Sequence, residues 1–119
     1  MTVVTWGAMV ERCLAACELA GASVEVIDLR TIVPWDREAV LGSVRKTHRC
    51  LVVHEDTMTG GFGAEIASVV AKEAFLKLDA PVERLAVPDI PLPYNVHLLE
   101  AVLPTVSSIA EQMKATLAF

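Results

Sequence analysis

The chain has 119 residues, enough for one domain with a real core and too few for two. Apolar residues make up 54% and charged residues 21%; a net charge of −5 without a basic tract speaks against nucleic acid as a partner. No apolar run approaches the ~20 residues of a membrane span, so a membrane is not expected either.

Thr2 to Thr5 is a short β-prone run whose direction in a sheet the pattern leaves open. The amino terminus lacks a charged leader followed by a long apolar segment, so no secretion signal is expected. Ala8 to Ala20 reads as a helix with Met9, Cys13, Ala16, Cys17 and Ala20 on one stripe, stopped by Gly21. Cys13 and Cys17 share that face and pack as small apolar side chains. With Cys50 they make three cysteines, an odd number that suits a reducing intracellular setting. Ser23 to Leu29 is the second strand. Pro34 cannot lie in a central strand, and Asp36 is a natural N-cap for a helix over Arg37–Lys46 with Ala39, Val40 and Val44 inward.

The third strand opens the stretch Leu51–Ala67, in which an apolar run leads through His54-Glu55-Asp56 and three glycines into a helix reaching about Leu78. Its sheet-facing residues are expected to be Ile66, Val69, Val70, Ala74, Phe75 and Leu78. Val82 to Val87 is a fourth strand. Pro88 to Tyr94, with three prolines, can only be extended and stiff. A turn of helix covers Val96–Ala101, and Pro104 suits the first turn of a last helix through Thr116. Low aromatic content, 5%, leaves Val, Leu, Ile and Ala to form the core. Strands alternating with helices predict a single domain over residues 1–119. Its class is α/β: a three-layer α/β/α sandwich around a mostly parallel or mixed sheet of about five strands.

Chemistry concentrates at the strand end. Gly60-Gly61-Phe62-Gly63 before a helix fits an anion loop in outline, but it lacks the G-x-G-x-x-G and Gly-Lys-Ser/Thr patterns. Glu65 in the first helical turn would repel an anion, so turn geometry is the simpler reading. His54 could be oriented by Glu55 or Asp56, with its pKa raised. No nucleophile turn accompanies it, and His48 and His97 lack ligand spacing, so neither catalytic nor metal residues are expected. Asp28, Arg30 and Asp36 read as structural ion pairing, with Arg30 reaching Asp28 or Glu55. The Pro-rich segment with Asp89, Leu92 and Tyr94 reads as a rigid strap over the domain or against a neighbour.

Three segments in order are distinctive. They are Val26–Asp36, His54-Glu55 with Thr59–Ala67, and Leu78-Asp79-Ala80-Pro81 with Pro88–Tyr94. Together they resemble the C-terminal domain of the β subunit of thiamine-diphosphate-dependent 2-oxoacid dehydrogenases, the transketolase C-terminal domain family. The likeness runs from Val3 to Phe119 and leans toward branched-chain rather than pyruvate members. It implies an oxidoreductase component whose thiamine diphosphate and magnesium sit on parts absent here, with no cofactor-binding residue in this chain. It also implies a homodimer or higher oligomer, an α subunit, and docking to an acyltransferase core, in the cytoplasm or the mitochondrial matrix. The isolated domain is then expected to be inactive. Interface or structural candidates are His54, Glu55, Gly60, Gly61, Phe62, Gly63, Asp89, Leu92 and Tyr94. Two other readings are a transketolase-like or acetoin-cleaving relative and a free-standing small-molecule-binding module using the Gly60–Gly63 edge.

Overall fold

A computed structural model describes the whole chain, Met1–Phe119. Its elements are β1 (Thr2–Thr5), α1 (Met9–Ala20), β2 (Glu25–Asp28), α2 (Arg37–Thr47), β3 (Cys50–Thr57) and α3 (Gly63–Glu73). A single 3₁₀ turn at Phe75–Lys77 leads to β4 (Glu83–Val87), α4 (Val96–Val102) and α5 (Val106–Ala118).

The four strands lie in the order β2-β1-β3-β4 and every pairing is parallel. The direction of β1, open in the sequence, is settled by pairing on both sides. Thr2 aligns with Glu25 of β2 and with Cys50 of β3. The sheet has four strands, close to the five or so expected. The extended Pro88–Tyr94 segment does not join it, because Pro88, Pro91 and Pro93 carry no N–H to donate to a ladder.

Alternation along each strand splits the interior in two, since successive side chains point to opposite faces. Val3, Leu51 and Val53 meet Met9, Cys13 and Ala16 of α1 and Ile109, Ala110 and Met113 of α5. Val4, Cys50 and Val52 meet Val40, Leu41 and Val44 of α2 and Ile66 and Val70 of α3. Each Val, Leu or Ile so buried contributes about 1.5–3 kcal/mol, which makes these two layers the main source of stability. This is the expected three-layer sandwich.

Three local expectations are corrected. Ala39 is exposed, and Leu41 takes the inward place on α2. The helix after the glycines ends at Glu73, so Phe75 follows a broken turn and lies 70% exposed instead of facing the sheet. The last helix begins at Val106, capped by Thr105 and Ser108 in a capping box, and Pro104 precedes it. Asp36 does cap α2, its carboxylate accepting the Ala39 N–H at 3.0 Å.

Candidate functional site

Strand order puts the topological switch between β1 and β3, because the connection from β1 runs to one side of the sheet and that from β3 to the other. Ligands in open α/β sheets bind in the crevice beyond two such strand ends. In this chain that crevice is filled from within. Val4 pairs with Val52, and two residues beyond each lie Trp6 and His54. Their rings stack with centroids 5.3 Å apart and planes 8° from parallel, and Phe62 meets Trp6 edge-on at 6.1 Å.

Alternation puts His54 on the inward face of Cys50 and Val52, at the point where regular pairing with β4 breaks off. Val53 pairs with Leu85 and Thr57 with Val87, so four steps along β3 match two along β4. The surplus residues make a bulge at His54–Asp56, which bends the strand at the end of its apolar run. His54 is fully buried there, while Glu55 and Asp56 face solvent. Neither ring nitrogen has a hydrogen-bond partner, so Glu55 and Asp56 do not orient the ring as the sequence suggested. The pKa moves opposite to that expectation. Burial holds the ring below the usual histidine value, Asp56 opposes this and Arg84 adds to it.

The glycines shape themselves to this ring. A Cβ on Gly63 would run into His54 Nε2 and Cδ2 and sit 3.3 Å from Val52 Cγ1. A Cβ on Gly61 would collide with the Thr57 carbonyl oxygen and lie 2.8 Å from His54 Cε1. Both positions therefore demand glycine for close approach. The left-handed backbone of the turn belongs to Gly60, at φ +78°. Phe62 at the helix start completes the lid over Trp6.

Beyond the ring the turn is tied to β4 and the strap. Met58 N–H donates to Val87 O at 2.8 Å, and Arg84 Nη1 donates to Met58 O at 2.7 Å. The Asp89 carboxylate accepts both the Thr59 N–H, at 2.8 Å, and the Thr59 hydroxyl, at 2.5 Å. These bonds, the hydroxyl's first, hold the Asp89 carboxyl below its ordinary pKa. Leu92 and Tyr94 follow on the strap and are exposed, Tyr94 completely. The second polar cluster does not converge here: Arg30 pairs with Asp28 at 3.1 Å on the surface.

None of the three surface cavities includes a residue from 54–63. The largest, about 540 Å³, lies at the opposite end of β4, between Phe75, Leu78, Pro81, Val82 and Phe119. No three His, Cys, Asp or Glu side chains are grouped as metal ligands. Trp6 is the site residue that the sequence reading passed over. Its signal was position: a tryptophan and a glycine directly after a strand, in a chain with two tryptophans.

Residues 1–109 match the family described as transketolase, C-terminal domain. The chain belongs to the transketolase C-terminal domain family. Across 98% of the chain this domain is 45% identical to the mitochondrial 2-oxoisovalerate dehydrogenase subunit beta 2 of Arabidopsis thaliana, covering 33% of that protein. It is also 45% identical over 96% of its length to the pyruvate dehydrogenase E1 component subunit beta of Rickettsia conorii, covering 36% of it. Among solved structures it resembles a split gene transketolase described as an inactive beta4 tetramer. The TM-score is 0.80 at 28% identity, over 98% of this chain and 38% of that one. This transketolase C-terminal domain thus spans about a third of the length of its relatives. No helix in it is long and apolar enough to cross a membrane.

Proposed function

We propose that this domain is the C-terminal assembly part of the β subunit of a thiamine-diphosphate-dependent 2-oxoacid dehydrogenase. In the full complex the substrate is a branched-chain 2-oxoacid or pyruvate; relatives named for each are 45% identical over nearly the whole chain. The domain's task is to hold subunits together, copy to copy and with an α subunit, and to present a surface to the acyltransferase core. The cytoplasm, or the mitochondrial matrix in a eukaryote, is the compartment of this reading, and a plant and a fungal relative are named as mitochondrial.

The observation that carries this reading is the apolar surface following the sheet edge. Leu92, Tyr94, Val96 and Leu98 are all exposed on the strap and α4. Four large apolar side chains left exposed within seven residues support a contact surface there. A proline-stiffened segment also loses little freedom when it docks. Thiamine diphosphate and magnesium do not fit the residues present. The glycine turn is closed over His54 by Phe62 and Trp6, and no carboxylate cluster forms a magnesium cradle. The side chains here therefore bind, orient and cover; no chemical step is assigned to them.

Sedimentation equilibrium at tens of micromolar tests the reading. A dimer or larger species is expected, and Leu92→Ser with Tyr94→Ser should yield a folded 12.8 kDa monomer. A monomeric parent chain contradicts self-association through this surface. Turnover of pyruvate or a branched-chain 2-oxoacid by the pure chain, with thiamine diphosphate and magnesium added, contradicts the assembly role itself.

A further inference from the structure

At the carboxyl edge of the sheet an ionisable ring is sealed in with nothing to receive its proton. His54 has no exposed surface and both ring nitrogens lack partners. Trp6 stacks on it, and Gly61 and Gly63 abut it on the side of α3. Gly63 is the first residue of α3, so Nε2 lies beside the free N–H groups of a helix start, where positive charge is disfavoured. A neutral imidazole serves in this place as an aromatic plate. An imidazolium brings a charge and a second N–H donor into a space that offers no acceptor.

Few charged groups face the ring. Asp56 on β3 favours its protonation and Arg84 on β4 opposes it, with burial the dominant influence. From the segment after β1 it meets Trp6, which carries no charge. On α3, Glu65 is exposed in the first turn, and Glu55 on β3 also faces solvent. Asp89, across the turn, is already engaged by Thr59.

The ring is also well placed to control the turn. It sits at the bulge where β3 leaves regular pairing, and the turn beyond is held by a handful of hydrogen bonds to the Val87 carbonyl, the Arg84 guanidinium and the Asp89 carboxylate. We propose that His54 is a proton-operated latch on the Thr57–Gly63 turn. Neutral, it holds the turn and the Asp89 strap against the sheet edge; protonated, it releases them while the four-stranded sheet stays folded. The latch belongs to the fold and does not depend on what the strap contacts.

The sign follows from linkage. The closed form holds the histidine pKa below its open value, so the open form binds more protons as pH falls. Opening begins near the ordinary histidine pKa of about 6.5 and grows until the closed ring itself titrates. Local opening costs less than global unfolding, so the turn is released first.

Amide hydrogen exchange of the full 119-residue chain between pH 8 and pH 5 provides the test, after correction for intrinsic rates. Opening of residues 57–63 should increase by up to about tenfold per pH unit below about 6.5, the limit for one proton, while β1 and the apolar half of β3 stay protected. His54→Phe keeps an aromatic plate without a proton site and should abolish the pH dependence. Asp56→Asn, which leaves the buried side intact, should enlarge the acid-driven opening by removing the carboxylate that eases protonation. Constant protection across the range overturns the proposal. So does an acid response that persists in His54→Phe or shrinks in Asp56→Asn.

Discussion

Gly63→Ala puts the close packing of this edge to a direct test. Two effects oppose each other. Alanine gains up to about 1 kcal/mol over glycine as a helix former, and Gly63 lies at the first position of α3 with no left-handed backbone to protect. The added methyl, however, enters space held by the His54 ring and comes 3.3 Å from Val52 Cγ1. The ring cannot yield sideways, because Trp6 stacks on it and the bulge fixes its backbone. Overpacking a filled site costs about 1–3 kcal/mol, more than the helix gain at a terminal position. A net loss of roughly 1–2 kcal/mol is expected, a fall in melting temperature on the order of 5–10 °C for a domain of this size. Urea unfolding followed by circular dichroism reads the loss as a lower midpoint with an unchanged slope. A cycle with His54→Ala should show coupling of at least about 1 kcal/mol, since the methyl then occupies the space the ring left. A Gly63→Ala protein as stable as the parent, or more so, refutes the close-approach account.

Two further outcomes follow from the buried thiols and the strap. Burial pushes the thiols of Cys13 and Cys50 up to about 12. At pH 8 the native chain should therefore alkylate first at the partly exposed Cys17, with all three reacting only in denaturant; prompt native labelling of Cys50 refutes this. Asp89→Ala should lower the melting temperature at neutral pH by freeing the turn from the strap. Because the Asp89 carboxyl is held below its usual value, its contribution is present above the unfolded pKa and lost as pH falls through the folded one. The difference between parent and variant should thus close in acid, and a gap of the same size at neutral and strongly acid pH contradicts the carboxylate's role.

The sequence by itself determined what local chemistry can determine. Alternating apolar strands and amphipathic helices, the Asp36 cap, the Gly21 stop and the proline-bound strap all act over a few residues, and the structure keeps each of them. The ordered motifs sufficed to place the family. Tertiary structure decided what depends on neighbours far along the chain. The direction of β1 came from pairing with strands that lie 23 and 48 positions later, Thr2 against Glu25 and Cys50. Phe75 became exposed because α3 ends at Glu73, although its period would have carried it onto the sheet. His54 looked like a strand-end residue that Glu55 or Asp56 could orient, a pattern that many strand ends would share. Alternation put it on the Val52 face, but only the arrival of Trp6 after β1 and of the start of α3 against the ring sealed it from solvent. Those same contacts explain why Gly61 and Gly63 must lack side chains, a requirement of space imposed by a ring several residues away.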